Sequence, residues 1–410
     1  MRDTSGSARF SRREFLARAA VARQPRRPNV LLLLAGRWRA QTLPAAGGGD
    51  LIAPNLDRLI REGVCFSRAY ASCPLGSPAR ASILTGRFPH AMRTPAQCEE
   101  PTLISELKRA GYSAACIGDW GCDSALGAGP AAIEFLRANI PNDFCLCLSL
   151  EPPAPAPERF TRLYAARNFR LRDNVPENLD ARAREAHALY YAQCSALDSD
   201  LGLLLKTLDE TGLAQDTIVV FTSDHGDLLG SHGGEAAGDP HEESARVPLV
   251  VRYPRRIRGG GTIDFLASSV DLAPALLALC GVDVPRSMQG RDLSEPILTG
   301  KGDPPESIYA EGRLRAQGEW RMLVRGLDKL VVNTGLDVTH LYNLGQDPYE
   351  MTNLATDGTQ RRKRDELLAL LRRWILRTGD RLNRPPRTAG LAAPVILRTG
   401  NRLNRPPSVR

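Results

Sequence analysis

The chain has 410 residues, 42% of them hydrophobic and 24% charged. That is enough for one large core with a smaller subdomain, and it excludes a wholly disordered or fibrous chain. The net charge of +8 lies at the two ends: eight arginines against Asp3 and Glu14 in residues 1–27, and ten against Asp380 in residues 372–410, while residues 28–371 carry −7. The body therefore has no basic excess, and no nucleic-acid partner is expected.

Residues 1–27 form a basic N-terminal segment. Ser11-Arg12-Arg13-Glu14-Phe15-Leu16 is similar to a twin-arginine export signal, and Ala20-Val21-Ala22 to a small-residue cleavage site. The apolar stretch Leu16–Ala22 is short and interrupted by Arg18. The segment reads either as a shortened signal, with a periplasmic or exported product, or as a basic tail on a cytoplasmic one. Leu31–Leu34 is too short to span a bilayer, so no transmembrane segment is expected.

The elements follow in order. Leu31–Ala35 is a continuous apolar run that suits a buried parallel strand. Pro54–Gly63 has helical spacing and ends in Gly, and Ser77–Ser82 looks like a helix start with Pro78 in the first turn. Helices are expected at Ile104–Ala110, Ala181–Thr211 and Leu272–Cys280. Strands are expected at Ala114–Ile117, Phe144–Leu150, Thr217–Thr222 and Val247–Val251. This alternation argues for a parallel sheet covered on both faces. Beyond about Pro304 the runs shorten: Ser307–Tyr309, Trp320–Val324, Leu330–Val332 and His340–Leu344 read as a small antiparallel sheet, and Arg361–Ile375 as a helix. The expected division is 28–304, 305–376, and a basic tail, 377–410. In that tail Ile375–Pro386 recurs as Ile396–Pro407 at a period of 21 residues. Two copies are too few for a solenoid, and residues from about 380 on are expected to be poorly ordered.

Nine cysteines cannot all pair within one chain. No C-x-x-C pair stands at zinc spacing to a second. Most read as small buried apolar residues.

Several segments, in order over about residues 28–376, resemble the sulfatases. They are Pro28–Leu32; Ala53-Pro54-Asn55-Leu56-Asp57; Ser77-Pro78-Ala79-Arg80 to Gly86-Arg87; Ser223-Asp224-His225-Gly226 with Leu229–Gly233; Glu242–Leu249; Asp271–Pro274; Met288-Gln289-Gly290; and Leu341–Leu344 with Asp347–Glu350. The resemblance implies an alkaline-phosphatase-like α/β fold: a three-layer α/β/α sandwich on a mainly parallel sheet, with a small C-terminal antiparallel sheet and helix. It also implies sulfuric ester hydrolysis by a formylglycine made from Cys or Ser in the pattern C-x-P-[SA]-R, with a divalent cation, usually calcium, on the sulfate oxygens. The expected ligand is a small sulfate or phosphate ester, or the free anion.

Against that pattern this chain has Gly76 at the nucleophile position, with no Cβ from which an aldehyde could be made. Ser77 is one position late and Cys73 three early. The first metal loop has Gly36 and Arg37 where the family carries acidic or polar ligands, leaving Asp224 and His225 as the residual half of the metal site. Gly118-Asp119-Trp120-Gly121 stands for G-K-W-H, and Pro152-Pro153-Ala154-Pro155 for P-H-x-P. Arg80 and His232 remain. His90, His187, His241 and His340 read as surface or packing residues. The implied reading is a family member with its fold kept and its reaction lost, a pseudoenzyme. The alternatives are a residual metal-dependent sulfate or phosphate ester hydrolase using Arg80, Asp224, His225 and His232, and a non-catalytic anion-binding module. A further expectation is that the Arg37 guanidinium replaces the metal and pairs with Asp224 or Asp119.

Overall fold

The run Asn29–Ala35 has no polar residue after Asn29 and is buried along its whole length, as a central parallel strand requires. It forms β1 (Asn29–Ala35) in a computed structural model that describes residues 27–382 apart from 45–47, 93–100, 121–127, 141, 235–236 and 313–317. The export-signal motif, the repeat-containing tail from 383 on, and Gly121 lie outside the described residues.

Seven further strands complete the main sheet: β2 (Val64–Tyr70), β3 (Ser113–Ile117), β4 (Phe144–Leu150), β5 (Thr217–Thr222), β6 (Arg246–Val247), β7 (Leu249–Arg252) and β8 (Gly261–Ser268). Their order is β3-β4-β1-β5-β7-β2-β6, with β8 beside β2. Pairings β3–β4, β4–β1, β1–β5 and β2–β8 are parallel, while β7 runs antiparallel to both β5 and β2. The sheet is therefore mixed but mostly parallel. The single strand expected at Val247–Val251 is broken at Pro248, which has no N–H to give to a ladder. β2 and β8 were not legible as strands in the residue pattern.

Alternation along β1 sends its side chains into two cores. Val30, Leu32 and Leu34 pack with Leu272, Leu276 and Leu277 of the helix Leu272–Leu279 and with Leu103 and Leu107 of the helix Leu103–Arg109. Leu31, Leu33 and Ala35 pack with Leu197, Leu201 and Leu204 of the long helix Asp180–Glu210 and with Leu56 and Leu59 of the helix Pro54–Glu62. Each such leucine contributes about 1.5–3 kcal/mol when fully buried. Helices on both faces of one sheet give the three-layer α/β/α arrangement.

A second, antiparallel sheet follows: β9 (Ile308–Gly312), β10 (Trp320–Arg325), β11 (Asp328–Asn333) and β12 (Val338–Asn343), in the order β12-β11-β10-β9. One face buries Leu323, Leu330 and Leu341 under Leu367, Leu370, Leu371 and Trp374 of the helix Arg361–Thr378. The other face puts Ala310, Met322 and Val331 against Tyr70, Ala245 and Leu266 of the main unit.

Candidate functional site

In an open α/β sheet the strand carboxyl ends line the crevice where ligands bind. Here β4, β1 and β5 are neighbours, and their registers align the residues that follow them. Ala35 pairs with Leu150 and Leu34 with Thr222, so Gly36, Glu151 and Asp224 emerge side by side. Asp119 comes from the adjacent loop after β3. Its neighbour Gly118 has φ +88°, and a Cβ there would meet the Ser149 carbonyl oxygen at 2.1 Å, so only glycine lets this loop lie against β4.

The helix Gly76–Thr85 points its N-terminus into the same crevice. Gly76 and Arg80 are one turn apart and share a face. A Cβ built on Gly76 would lie 3.7 Å from Asp224 Oδ2 and 4.0 Å from Arg80 Nη2, ordinary contact distances. Position 76 thus faces the Asp224 carboxylate, with room for a side chain that this chain does not carry.

Arg80 fills the centre. Its side chain is 6% exposed, and its Nε and Nη2 donate to Asp224 Oδ2 at 3.2 and 3.0 Å. Nη2 also pairs with Glu151, and Nη1 with the carboxylate and the carbonyl of Asp119. The other oxygen of Asp224 accepts the backbone N–H groups of Arg37 at 3.0 Å and His225 at 2.9 Å. Burial by itself would raise the Asp224 pKa, but the charges of His225 and Arg80 and the Arg37 N–H hold it below the ordinary carboxylate value. Glu151 goes the other way: burial raises its pKa, and the Asp224 and Asp119 charges add to that against the pull of Arg80.

The Arg37 guanidinium is not the replacement cation. It pairs with Asp227 at 3.7 Å and is 47% exposed. The backbone explains this: Arg37 has φ +56°, so its N–H turns in to Asp224 and its side chain turns out. The internal cation is Arg80.

Glu151 was not singled out by the motifs, which drew attention to the missing histidine at Pro153. A Cβ at Gly36 would lie 2.7–3.0 Å from all three atoms of the Glu151 carboxyl group. The Glu151 carboxylate therefore occupies the volume that a side chain at position 36 would need. The available signal was an acidic residue directly after a fully buried strand, where such groups reach the crevice.

These residues do not fit a calcium-type cation, which takes six to eight oxygen ligands. Both Asp224 oxygens are turned onto N–H donors, Gly36 offers no side chain, and a guanidinium sits where Asp224, Glu151 and Asp119 converge. Cys73 is fully buried, and burial pushes its thiol well above the ordinary value, so it is no substitute nucleophile.

His232 stands elsewhere. Its contacts are Asn174, Glu243 and the ring of His241, stacked at 3.7 Å, none of them shared with Arg80. Burial and the neighbouring His241 push its pKa down to about 4. Beside it Lys329, 0% exposed, bridges Glu350 at 2.7 Å and Glu242 at 3.2 Å. His241 is bound to Asp239. His90 likewise pairs with the buried Glu311 at 2.9 Å.

A mostly parallel α/β sandwich with a helix N-terminus at its strand ends is an arrangement that the alkaline-phosphatase-like class of hydrolase folds shares with other α/β proteins. The family model Sulfatase matches residues 28–124 and 130–282, and the model N-sulphoglucosamine sulphohydrolase, C-terminal, matches 240–375. The chain belongs to the sulfatase family. It is 27% identical to the ulvan-active sulfatase of Formosa agariphila, over 87% of this chain and 83% of that one. It is 25% identical to the N-acetylglucosamine-6-O-sulfatase of Bacteroides thetaiotaomicron, over 85% and 86%. A solved structure in complex with its substrate D-glucosamine-2-N,6-O-disulfate superposes with a TM-score of 0.79 at 21% identity, covering 87% of this chain and 99% of that one. The phosphonate monoester hydrolase of Agrobacterium radiobacter gives 0.72 at 21%, covering 85% and 96%. The last two matches show the shared fold. Among the described residues no helix is long and apolar enough to cross a membrane.

Proposed function

We propose that this chain is a sulfatase-family protein that has kept the fold and lost sulfuric ester hydrolysis. The observation that carries the reading is the Arg80 cage: Asp224, Glu151 and Asp119 close on one guanidinium beside Gly76, where the family reaction requires a cation and an activated oxygen. Three carboxylates around one guanidinium also disfavour a bound sulfate or phosphate, which argues against the anion-binding module. The residual-hydrolase alternative needs His232 beside Arg80, and the contacts of His232 lie in a different cluster. Sulfated sugars, the substrates in the relatives' names, remain the class of ester against which loss of turnover is to be measured.

The test is hydrolysis of an aryl sulfate and of a sulfated hexosamine by the full chain, with and without calcium. The expected result is no turnover above buffer and no calcium-dependent change in thermal unfolding. Calcium-dependent turnover that disappears in Asp224→Ala would overturn the proposal.

A further inference from the structure

The geometry points to a second cation site, separate from the Arg80 cage: a zinc-class divalent ion held by His232 Nε2, Glu243 and Glu350, between the loop after β5 and the turn after β12. These three residues each offer a ligand atom, and the atoms lie within 4.8 Å of one another.

Glu243 supplies the strongest argument. Its side chain is 1% exposed. Oε1 accepts from Arg172 Nε at 2.6 Å and Asn174 Nδ2 at 2.8 Å. Oε2 is buried with no hydrogen-bond partner among the described residues. An orphaned buried carboxylate oxygen costs free energy, so a ligand for it is worth seeking. Oε2 faces His232 Nε2 at 3.8 Å. That is too long for a hydrogen bond. It suits two atoms bound to one zinc ion, which at about 2.0–2.2 Å each can stand up to roughly 4 Å apart.

The His232 nitrogen has one shared donor. Asn174 Nδ2 has two hydrogens and three neighbours: Glu243 Oε1, the Tyr349 carbonyl at 3.0 Å and His232 Nε2 at 3.0 Å. Two hydrogens serve three acceptors, so this amide does not fully satisfy the cluster, and Glu243 Oε1 already accepts from Arg172. Turning the amide over would set its oxygen against two acceptors, which fixes this orientation.

Glu350 completes the set. It is 3% exposed, and its oxygens are held by Lys329 Nζ at 2.7 Å and by the Glu242 N–H at 2.7 Å. A carboxylate oxygen has two lone pairs, and outer contacts of this kind orient ligating carboxylates. His232 is 18% exposed, which leaves a path from solvent. One imidazole with two carboxylates suits zinc rather than calcium or magnesium, which take oxygen alone.

The experiment uses the untagged full chain, stripped with a chelator and titrated with Zn²⁺, and with Co²⁺ as a visible-light probe. The expected result is one saturable equivalent, a rise in melting temperature and a Co²⁺ absorption band. His232→Ala and Glu243→Gln should each weaken binding at least about tenfold. Asp224→Asn, in the Arg80 cage, should leave zinc binding unchanged. Glu243→Gln preserves shape and carries the test if His232→Ala does not fold. No saturable binding by the wild type, as for a pocket filled by water, would overturn the inference. So would binding that survives both cluster variants, or binding lost in Asp224→Asn. None of these readouts involves ester hydrolysis, so the outcome is independent of the proposed loss of activity.

Discussion

Arg80 and Arg321 are both ringed by acidic groups, but the two rings differ in what surrounds them. Arg321 is 2% exposed, its partners Glu311 and Asp380 are 0% and 2% exposed, and its third partner Glu319 is 19% exposed. Tyr309 donates to the same Asp380, and His90 pairs with Glu311. This ring is almost wholly buried, and it ties Asp380, two residues past the last helix, to β9 and β10. Around Arg80 only Asp224 is sealed; Asp119 and Glu151 are 44% and 47% exposed. Similar ion-pair chemistry therefore serves as a clamp in one place and as the floor of an open crevice in the other.

The largest test of this contrast is Arg321→Met. Removing the cation strands the buried Glu311 and Asp380, and a loss of about 3–5 kcal/mol in urea unfolding is expected. Gly36→Asp comes next. Its side chain would push the Glu151 carboxylate off Arg80 and add a negative charge beside Asp224, so the variant should be destabilised, and Glu151→Ala should restore part of the loss. A double-mutant cycle should give a coupling of about 1–3 kcal/mol; additive losses would mean that Glu151 does not fill the space of the missing side chain.

The third test separates the rings by pH. Burial opposes the charged form of His90, but the hydrogen bond and charge of Glu311 raise its pKa above 6.5. Its contribution to stability is therefore whole below pH 6.5 and is lost as pH rises through the folded-state value. His90→Asn should flatten that slope in unfolding free energy against pH, while Glu151→Gln in the open ring should leave the His90 slope in place.

Gly76→Cys completes the Cys-x-Pro-x-Arg pattern and meets only ordinary contacts, so its stability should change by no more than about 1 kcal/mol. It should remain inactive toward aryl sulfates, because the cage still holds Arg80 where a cation is needed. The smallest effect is expected for Arg37→Ala, whose exposed 3.7 Å pair with Asp227 should be worth less than about 0.5 kcal/mol in the same unfolding measurement.

Much of the framework was readable in advance. The apolar run of β1, the helix signals at Pro54 and Pro78, and the β-branched run of β5 each carry their structure in local pattern. β2 and β8 did not, because Ser67, Arg68 and Asp264 break the apolar pattern while binding one another across the strand pair. In the site, Gly76, Arg80, Asp224 and His225 could be placed from motifs. Glu151 could not, since its role depends on the register between β1 and β4.

By itself the sequence determined the family, the layered α/β architecture and the absence of a nucleophile at position 76. The architecture follows from periodicity and the gap at position 76 from residue identity, both local properties, while the family follows from the resemblance of several motifs to the sulfatases. Only the tertiary structure decided which cation the carboxylates of the crevice pair with. Local order would assign that role to Arg37, beside the missing ligands. A left-handed backbone at Arg37 sends its side chain outward. Three strand ends and one helix turn instead bring Asp119, Glu151 and Asp224 onto Arg80.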